Sequence, residues 1–375
     1  MPRYAFQADR PIDKYNKSDV FFMVAVLLLW GLGMTTLFIC TPNTAERLFR
    51  NKYYFVTRQL VWSFIGFAGL VFFALLPLAT LRKLLPFIVI GSLVLCFIAL
   101  IPGIGSERKG ASRWIRLFNR VTIQPSEFAK LAVVLFLANL FDKQRESGQK
   151  EFYYPLTGLF IFILVIFLQR DFSTGLFIFL VGFVMFFSCG ARMSWFLPIV
   201  TIAIPSIVLM IALEPYRLNR VIAFVHPELF KLTSGYQEFA SQRSITAGGI
   251  WGNGVGAGLT EVFKIPEVQT DYIFAGWADS MGLVGVTIYF GILLLFFIRG
   301  LKIAFTCKSA FASYTAFGCV CMVFFQSLLN CAVVCGAAPT TGIPLPFFSS
   351  GGSSLVVTLC MCGAIINASH CVAED

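Results

Sequence analysis

The sequence predicts an all-α integral membrane protein with about ten membrane-spanning helices and one long extracytoplasmic loop between the seventh and the eighth. Of its 375 residues, 58% are hydrophobic and 13% are charged, and the mean hydropathy is +0.80. Soluble domains carry about 25% charged residues, so lipid must be the main solvent of this chain. Apolar runs recur from residue 18 to residue 369 without a long polar insert, which predicts one membrane domain.

The individual spans follow from the length that a helix needs to cross a bilayer, about 20 apolar residues. Dividing the apolar runs at charged or Pro/Gly-rich clusters gives ten spans, at residues 18–40, 58–77, 84–102, 126–142, 153–169, 171–189, 193–213, 272–299, 309–335 and 347–369. The fifth and sixth spans touch, so residues 169–171 must form a tight turn. The predicted organisation is a cytoplasmic N-terminal tail (1–17), helices one to seven (18–213), the extracytoplasmic loop (214–271), helices eight to ten (272–369) and a short C-terminal tail (370–375).

The formal net charge of +10 indicates either contact with anionic lipid headgroups or a site for an anionic ligand. Lys and Arg residues do not orient the chain clearly until segments 103–130 and 214–271 are set aside, after which both termini are predicted to be cytoplasmic. Those two segments contain five candidate anion-binding residues: Arg113, Arg116, Arg217, Arg220 and Arg243. The basic residues are scattered between membrane runs, so nucleic acid is not a predicted partner.

Cysteine and histidine give no metal site. The eleven cysteines lie mostly inside apolar runs without a CxxC pair, which is typical of packing residues. The chain has only two histidines, His226 and His370, too few for a histidine-built centre.

The first candidate constellation is GASRWI at 110–115 followed by QPSEFAK at 124–130. Pro125 suits a first helical position, and Lys130 can pair with Glu127 in the first turn. Alternatively, Arg113 and Lys130 bind a phosphate at the helix N-terminus. Ionisable residues within a membrane are functional by default, so the sequence leaves both interpretations open.

Two further segments are rich in small residues. The glycines of residues 248–258 lack a dinucleotide-binding spacing, and close packing is favoured over a substrate-lining loop. Residues 339–354 combine three prolines with small hydroxyl residues, which indicates either an irregular start to the last span or close helix packing.

Asp271 stands where a polar loop meets the eighth span. Taken alone, the position favours a helix cap, because a carboxylate accepts the first free N–H groups of a helix. A carboxylate at the boundary of water and membrane can also act as a general base.

Taken together and in order, these segments resemble the SEDS family (shape, elongation, division and sporulation proteins). The resemblance runs from about Gly103 to the last span, and its landmarks are GASRWI, QPSEFAKLA, QRDFSTG, GYQ, GGIWGNGVG, PE-x-x-TD-x-IFA and TGIPLPF-x-S-x-GGSSL. It implies a glycosyltransferase that polymerises lipid II into β-1,4 glycan strands on the outer face of the membrane, releasing undecaprenyl diphosphate. Three departures from the pattern involve four residues: Arg170 replaces proline, Asp279-Ser280 replaces a Glu-Glu pair, and Ser350 replaces tyrosine.

The resemblance makes Asp271 the catalytic residue, which activates the acceptor sugar's 4-hydroxyl. The same aspartate is the candidate ligand for a divalent cation, Mg²⁺ or Mn²⁺; no other cofactor is predicted. The candidate substrate-binding residues are Arg113, Lys130, Glu127, Gln124, Arg243, Ser349, Gly351 and Gly352.

The QPSEFAKLA and TGIPLPF strings resemble the division branch of the family more than its elongation branch. This implies a multi-pass protein of the bacterial cytoplasmic membrane, at the septum. It also implies a class B penicillin-binding transpeptidase, other division proteins and membrane lipids as partners. Two alternatives stay open at this point: a lipid II flippase or transporter, because hydropathy does not separate moving a lipid from polymerising it, and an elongation-type polymerase.

Overall fold

The computed structural model describes residues 18–108, 111–117, 121–147, 152–191, 214–226, 235–254 and 265–371, together with a few isolated positions between 201 and 230. The predicted N-terminal tail, most of the predicted seventh span and the last residues of the C-terminal tail lie outside this part of the chain.

Helices dominate the described residues. They are α1 (Val20–Cys40), α2 (Pro42–Phe49), α3 (Tyr54–Leu75), α4 (Leu78–Ile98), α5 (Pro125–Ser147), α6 (Tyr153–Leu168), α7 (Phe172–Ser188), α8 (Pro215–Val225), α9 (Tyr236–Gly248), α10 (Ile273–Thr306), α11 (Ala310–Val334) and α12 (Gly352–Ser369).

Within the described ranges, six helices are long and apolar enough to cross a membrane: α1, α3, α4, α10, α11 and α12. Helices α6 and α7 are apolar but shorter. Helix α5 has 23 residues and buries charged side chains along its first turns. The predicted multi-span helical fold is therefore confirmed. Each predicted span other than the seventh coincides with one of these helices, and the total of ten stays a prediction.

A small antiparallel sheet, which the sequence analysis did not predict, precedes α5. Its strands are β1 (Gly105–Arg108), β2 (Ala111–Leu117) and β3 (Val121–Ile123), in the order β1-β2-β3. Ile115 of β2 pairs with Gly105 of β1 and with Ile123 of β3. Since β3 ends two residues before Pro125, the sheet is held directly against the N-terminus of α5, with Arg113 on its central strand.

The predicted loop 214–271 contains two helices, α8 and α9, and the glycine-rich chain after α9 inserts into a break in α10. Gly282 has φ 61° and ψ −163°, which interrupts the helix. Four backbone hydrogen bonds bridge the break: Leu283 N to Gly249 O (2.9 Å), Val284 N to Ile250 O (3.2 Å), Asn253 N to Asp279 O (2.9 Å) and Gly254 N to Ser280 O (3.1 Å). Unpaired backbone groups cost several kcal/mol each in lipid, so this segment stabilises the broken helix. In the described part of the segment, Gly248 and Gly252 lie directly against the backbone of α10, as the packing interpretation predicts.

The two ends of the helical bundle are held by different contacts. The starts of α5, α7, α10 and α12 meet at one end, called here the site end. At the opposite end, Arg299 is ion-paired with Asp19 and the Ser18 hydroxyl is hydrogen-bonded to His370 Nε2 at 2.7 Å. An ion pair between Arg82 and Asp142 joins α4 to α5 there.

Candidate active site

A small cleft opens at the site end, where the segment before α10 meets the segment before α12. Its described lining consists of Arg220, Gln237, Asp271, Tyr272, Asn330, Val333, Thr340, Thr341, Gly342 and Ile343. The lining is mostly polar, and Asp271 is its carboxylate. The cleft therefore combines a negative charge with hydrogen-bonding groups next to an apolar bundle.

Asp271 ends a compact turn instead of capping α10. Its backbone N–H donates to the carbonyl of Glu267 at 3.2 Å, and Glu267 has a positive φ of 58°. The N-cap residue of α10 is Tyr272, whose side chain makes no capping hydrogen bond. The interpretation of Asp271 as a helix cap is therefore wrong, and its half-buried carboxylate faces the cleft.

Arg113 approaches the same place from the sheet. A methyl group added to Gly342 would lie 3.6 Å from Asp271 Oδ2 and 3.7 Å from Arg113 Nη2, so the two charged groups come together beside Gly342. Gly342 has φ 71°, a conformation that L side chains rarely adopt. Gly342, in the segment before α12, therefore lies beside both the Asp271 carboxylate and the Arg113 guanidinium, and it has no side chain to separate them.

Asp171, at the turn between α6 and α7, holds Arg113 in position. Arg113 Nη1 lies 3.3 Å from Asp171 Oδ1, and Asp171 is only 1% exposed. The carboxylate also accepts from Gln124 Nε2 (3.2 Å), Ser126 Oγ (3.1 Å) and Thr174 Oγ1 (2.9 Å). The sequence predicts Asp171 only as part of a turn. Its charge between two apolar runs is the feature of the sequence that indicates a functional role.

Arg220 on α8 is a cationic residue in the lining of the cleft. Its Nη1 donates to the carbonyl of Thr340 at 3.1 Å. Nearby Glu238 on α9 is buried, and burial raises the pKa of its carboxyl, an effect opposed by the charge of Arg220 and by the backbone N–H of Thr340. Arg243, the predicted residue on α9, is exposed with its guanidinium over the ring of Phe239, and it does not line the cleft.

Lys130 and Glu127 form the predicted ion pair inside the bundle. Lys130 Nζ lies 2.7 Å from Glu127 Oε1 and 2.8 Å from Gln326 Oε1, and both charged side chains are at most 3% exposed. Gln326 in turn donates from Nε2 to the carbonyl of Pro344 at 2.8 Å. Lys130 does not line the cleft; it supports the segment before α12 from below.

The remaining predicted residues hold the chain around the cleft. The Ser349 hydroxyl donates to the carbonyl of Thr270 and accepts from Leu345 N, at 2.7 Å in the latter case. Gly351 is the N-cap of α12, and a side chain at Gly352 would collide with the ring of Trp62. Gln124 contacts Asp171, as described above. None of these four lines the cleft, so their assignment to substrate stays a prediction.

The described residues contain no group of three or more His, Cys, Asp or Glu side chains able to hold a metal ion. Mg²⁺ is commonly bound by one or two carboxylates together with substrate phosphates and water. The single carboxylate of Asp271 in the cleft is compatible with this mode, in which phosphates of a bound substrate supply other ligands.

The fold and the cleft define a multi-span helical membrane protein with an acid and two arginines at one end of its bundle. A family model described as "Cell cycle protein" (FtsW/RodA/SpoVE) matches residues 20–374. The chain belongs to this family, and the predicted resemblance is confirmed.

Relatives of similar length support the assignment. The probable peptidoglycan glycosyltransferase FtsW of Geobacter sp. (strain M18) is 32% identical over 94% of this chain and 96% of its own length. Stage V sporulation protein E of Bacillus subtilis (strain 168) is 34% identical over 95% of this chain and 98% of its own.

Solved structures share the fold. A chain from a peptidoglycan synthase complex that coordinates polymerization and crosslinking is 26% identical, with a TM-score of 0.79 over 96% of this chain and 99% of that one. The rod shape determining protein RodA of Thermus thermophilus, 23% identical over 96% of this chain and 98% of its own, has a TM-score of 0.69 and supports the fold alone.

Proposed function

We propose that this chain is a division-type peptidoglycan glycosyltransferase. It polymerises lipid II into β-1,4 glycan strands on the outer face of the membrane and releases undecaprenyl diphosphate. The observation that carries the proposal is the cleft lined by Asp271 and Arg220, beside which Arg113 approaches Asp271 at Gly342. The family membership and the names of the relatives give the reaction class.

Asp271 acts as the general base. Its carboxylate takes the proton of the acceptor sugar's 4-hydroxyl while that oxygen attacks C1 of the donor sugar. The bond between C1 and the phosphate oxygen breaks, and its electron pair leaves with the diphosphate. A diphosphate needs no proton to leave, but its charge must be stabilised.

Arg113 and Arg220 supply that stabilisation. Arg113 keeps Nη1 on Asp171, which fixes the plane of its guanidinium, while Nη2 lies near Gly342 in the wall of the cleft. Arg220 is fixed by Thr340 in the same way. Planar guanidinium groups bind phosphate oxygens through paired hydrogen bonds, so prepositioned arginines suit this role better than flexible lysines. Lys130 acts through packing.

A divalent cation, Mg²⁺ or Mn²⁺, is part of the proposal. Asp271 is the residue that would hold it, and the cation would supply positive charge to neutralise negative charge in the reaction. Chelation by EDTA is expected to slow polymerisation reversibly.

The location and the partners complete the proposal: the cytoplasmic membrane at the septum, a class B penicillin-binding transpeptidase and other division proteins. Support comes from the relatives named FtsW and from the similarity to a chain of a complex that couples polymerization to crosslinking. Co-purification with the transpeptidase in mild detergent tests the partner.

Purified protein and labelled lipid II in detergent test the reaction. Wild type is expected to form glycan strands, and Asp271→Asn to lose at least 100-fold in rate because the general base is gone. Glu267→Gln is the matched control, since its exposed carboxylate lies in the same turn, and it should keep wild-type activity. Lipid II that only changes leaflet in vesicles, with no polymer formed in detergent, would instead establish the flippase.

A further inference from the structure

Two buried oxygen atoms in the wall of the cleft have no hydrogen-bond partner: Asn330 Oδ1 and Thr341 Oγ1. Asn330 is 2% exposed. A buried polar atom without a partner costs about 1–3 kcal/mol, and native proteins rarely leave one without a reason. Asn330 and Thr341 both line the cleft that contains Asp271, so a ligand bound there lies against the residues that carry these two atoms.

The orientation of the Asn330 amide is fixed by its other contacts. Its Nδ2 donates to the carbonyl of Asp271 at 3.0 Å and to the carbonyl of Ile343 at 2.9 Å. Carbonyl oxygens only accept hydrogen bonds, so the NH₂ group must face them and Oδ1 must face the other way. Asn330 thus ties the backbone at Asp271 to the segment before α12, and its Oδ1 is left as an acceptor on the other side of the amide.

The chemistry of these atoms selects the ligand group. An amide oxygen accepts but cannot donate, and it repels a phosphate oxygen. Phosphate therefore belongs with Arg113 and Arg220, and a neutral group that binds an amide oxygen is one that carries an N–H or O–H. The neighbouring hydroxyl of Thr341 can accept from, or donate to, the same polar substituent.

We propose that Asn330 Oδ1 and Thr341 Oγ1 form a subsite for a neutral hydrogen-bond donor, a hydroxyl or acetamido N–H of an amino sugar, next to Asp271. The subsite rests on the proposed glycosyl transfer and deepens it: it holds the sugar while the arginines hold the phosphates. A site built to bond an N–H or O–H rejects analogues that lack it, because its own buried atoms then stay unpaired.

Thr341→Val tests the subsite cleanly, because it replaces a hydroxyl by a methyl group of similar shape. Wild type, Thr341→Val and Thr341→Ser would be compared for kcat/KM on lipid II and for melting temperature. We expect Thr341→Val to lose about tenfold in kcat/KM, the value of one hydrogen bond of about 1.4 kcal/mol. Its melting temperature should equal or exceed that of wild type, because an unpaired buried hydroxyl has been removed. Thr341→Ser should keep most of the activity.

Thr287→Val on α10 is the control, since that exposed hydroxyl already donates to the carbonyl of Leu283 at 2.8 Å. Lipid II analogues that each lack a single hydroxyl or acetamido N–H identify the bound group. For one analogue only, the difference in kcat/KM between lipid II and the analogue should be smaller in Thr341→Val than in wild type. Wild-type kinetics in Thr341→Val, or parallel losses of activity and melting temperature, would overturn the subsite. Failure of wild type itself to form polymer would refute the glycosyltransferase instead.

Discussion

Single residues at the site end are held by buried charges that act in pairs. Asp171 accepts from three polar side chains and from Arg113 Nη1, which fixes the direction in which Arg113 presents Nη2. Preorganised charge of this kind is worth more than mobile charge, because it does not reorganise during the reaction. Asp171 is therefore a positioning residue for the cleft.

Asp171→Asn tests this role. The substitution keeps the shape but removes the charge that orients Arg113, so we expect at least a tenfold loss in kcat/KM and destabilisation of about 3 kcal/mol. Asp142→Asn is the matched control. It breaks the Arg82–Asp142 ion pair, which lies about 25 Å along α5 from Ser126, the residue of α5 that contacts Asp171. Both variants should melt earlier in thermal scans, but only Asp171→Asn should lose activity per folded molecule. Equal activity in the two would refute a positioning role.

The Lys130–Glu127 pair has a different consequence. Lys130→Met leaves Glu127 as a lone buried charge, which costs about 3–5 kcal/mol, whereas Glu127→Gln combined with Lys130→Met removes both charges. We expect the single variant to melt much earlier and the double variant to recover most of the melting temperature and most of the polymerisation. A stable double variant that remained inactive would show that Lys130 binds substrate.

Sequence reasoning found this pair from spacing alone, and it found Asp271 and Arg113 as candidates. It chose Arg243 over Arg220 because charge and order along the chain do not reveal which face of a surface helix meets the cleft. It assigned no role to Asp171 because its contacts with Arg113, Gln124 and Ser126 lie 45 or more positions away in sequence.

At the scale of elements, the break in α10 controls the geometry beneath Asp271. The backbone angles of Gly282 are accessible essentially only to glycine. A Cβ there would also lie 2.5 Å from the carbonyl oxygen of Ile250. The glycine-rich segment after α9 therefore packs against the break in α10 too closely to admit a side chain at Gly282.

Gly282→Ala is expected to destabilise the protein by about 3 kcal/mol, through backbone strain and the collision with Ile250. Gly291→Ala on the same helix meets no atom within 4 Å and should be neutral or slightly stabilising, because alanine favours helices. Thermal unfolding in detergent compares the two. Similar melting temperatures for both variants would contradict the role of the break.

Hydropathy located the spans closely, for instance 153–169 against Tyr153–Leu168 for α6. It missed β1 to β3, whose short strands carry no long apolar run, and it missed α8 and α9 as helices. Their stability comes from contacts with distant parts of the chain, such as α9 with α10 and α11, which periodicity within one segment does not encode.

At the scale of the whole molecule, residues far apart in sequence close the bundle. Ser18 is bonded to His370, and Asp19 to Arg299, so the start of the first span is held to the ends of α10 and α12. Burial lowers the pKa of the His370 imidazole below its usual value of 6.5, because the charged form is poorly solvated there.

This lowered pKa predicts a pH dependence of stability. The unfolded chain binds the proton more tightly than the folded one, so the contribution of His370 is complete above pH 6.5 and is lost as the pH falls through 6.5 towards the folded value. We expect the melting temperature to fall between pH 7.5 and 5.5, and His370→Gln to weaken that fall. His226→Gln, which changes the other histidine, should retain the wild-type profile. Identical profiles for His370→Gln and wild type would contradict the prediction.

The four backbone bonds across the break in α10 also decide how the protein opens locally. Peptide groups of residues 249–254 bond to both sides of the break, to Asp279 and Ser280 above it and to Leu283 and Val284 below it, so we expect these groups to open as one cooperative unit. Amide hydrogens of Leu283 and Asn253, 30 positions apart, should then exchange with deuterium at matching rates. Because Asp271 leads into the upper part of α10, we expect local unfolding that releases residues 249–254 to inactivate the protein while its other spanning helices remain folded.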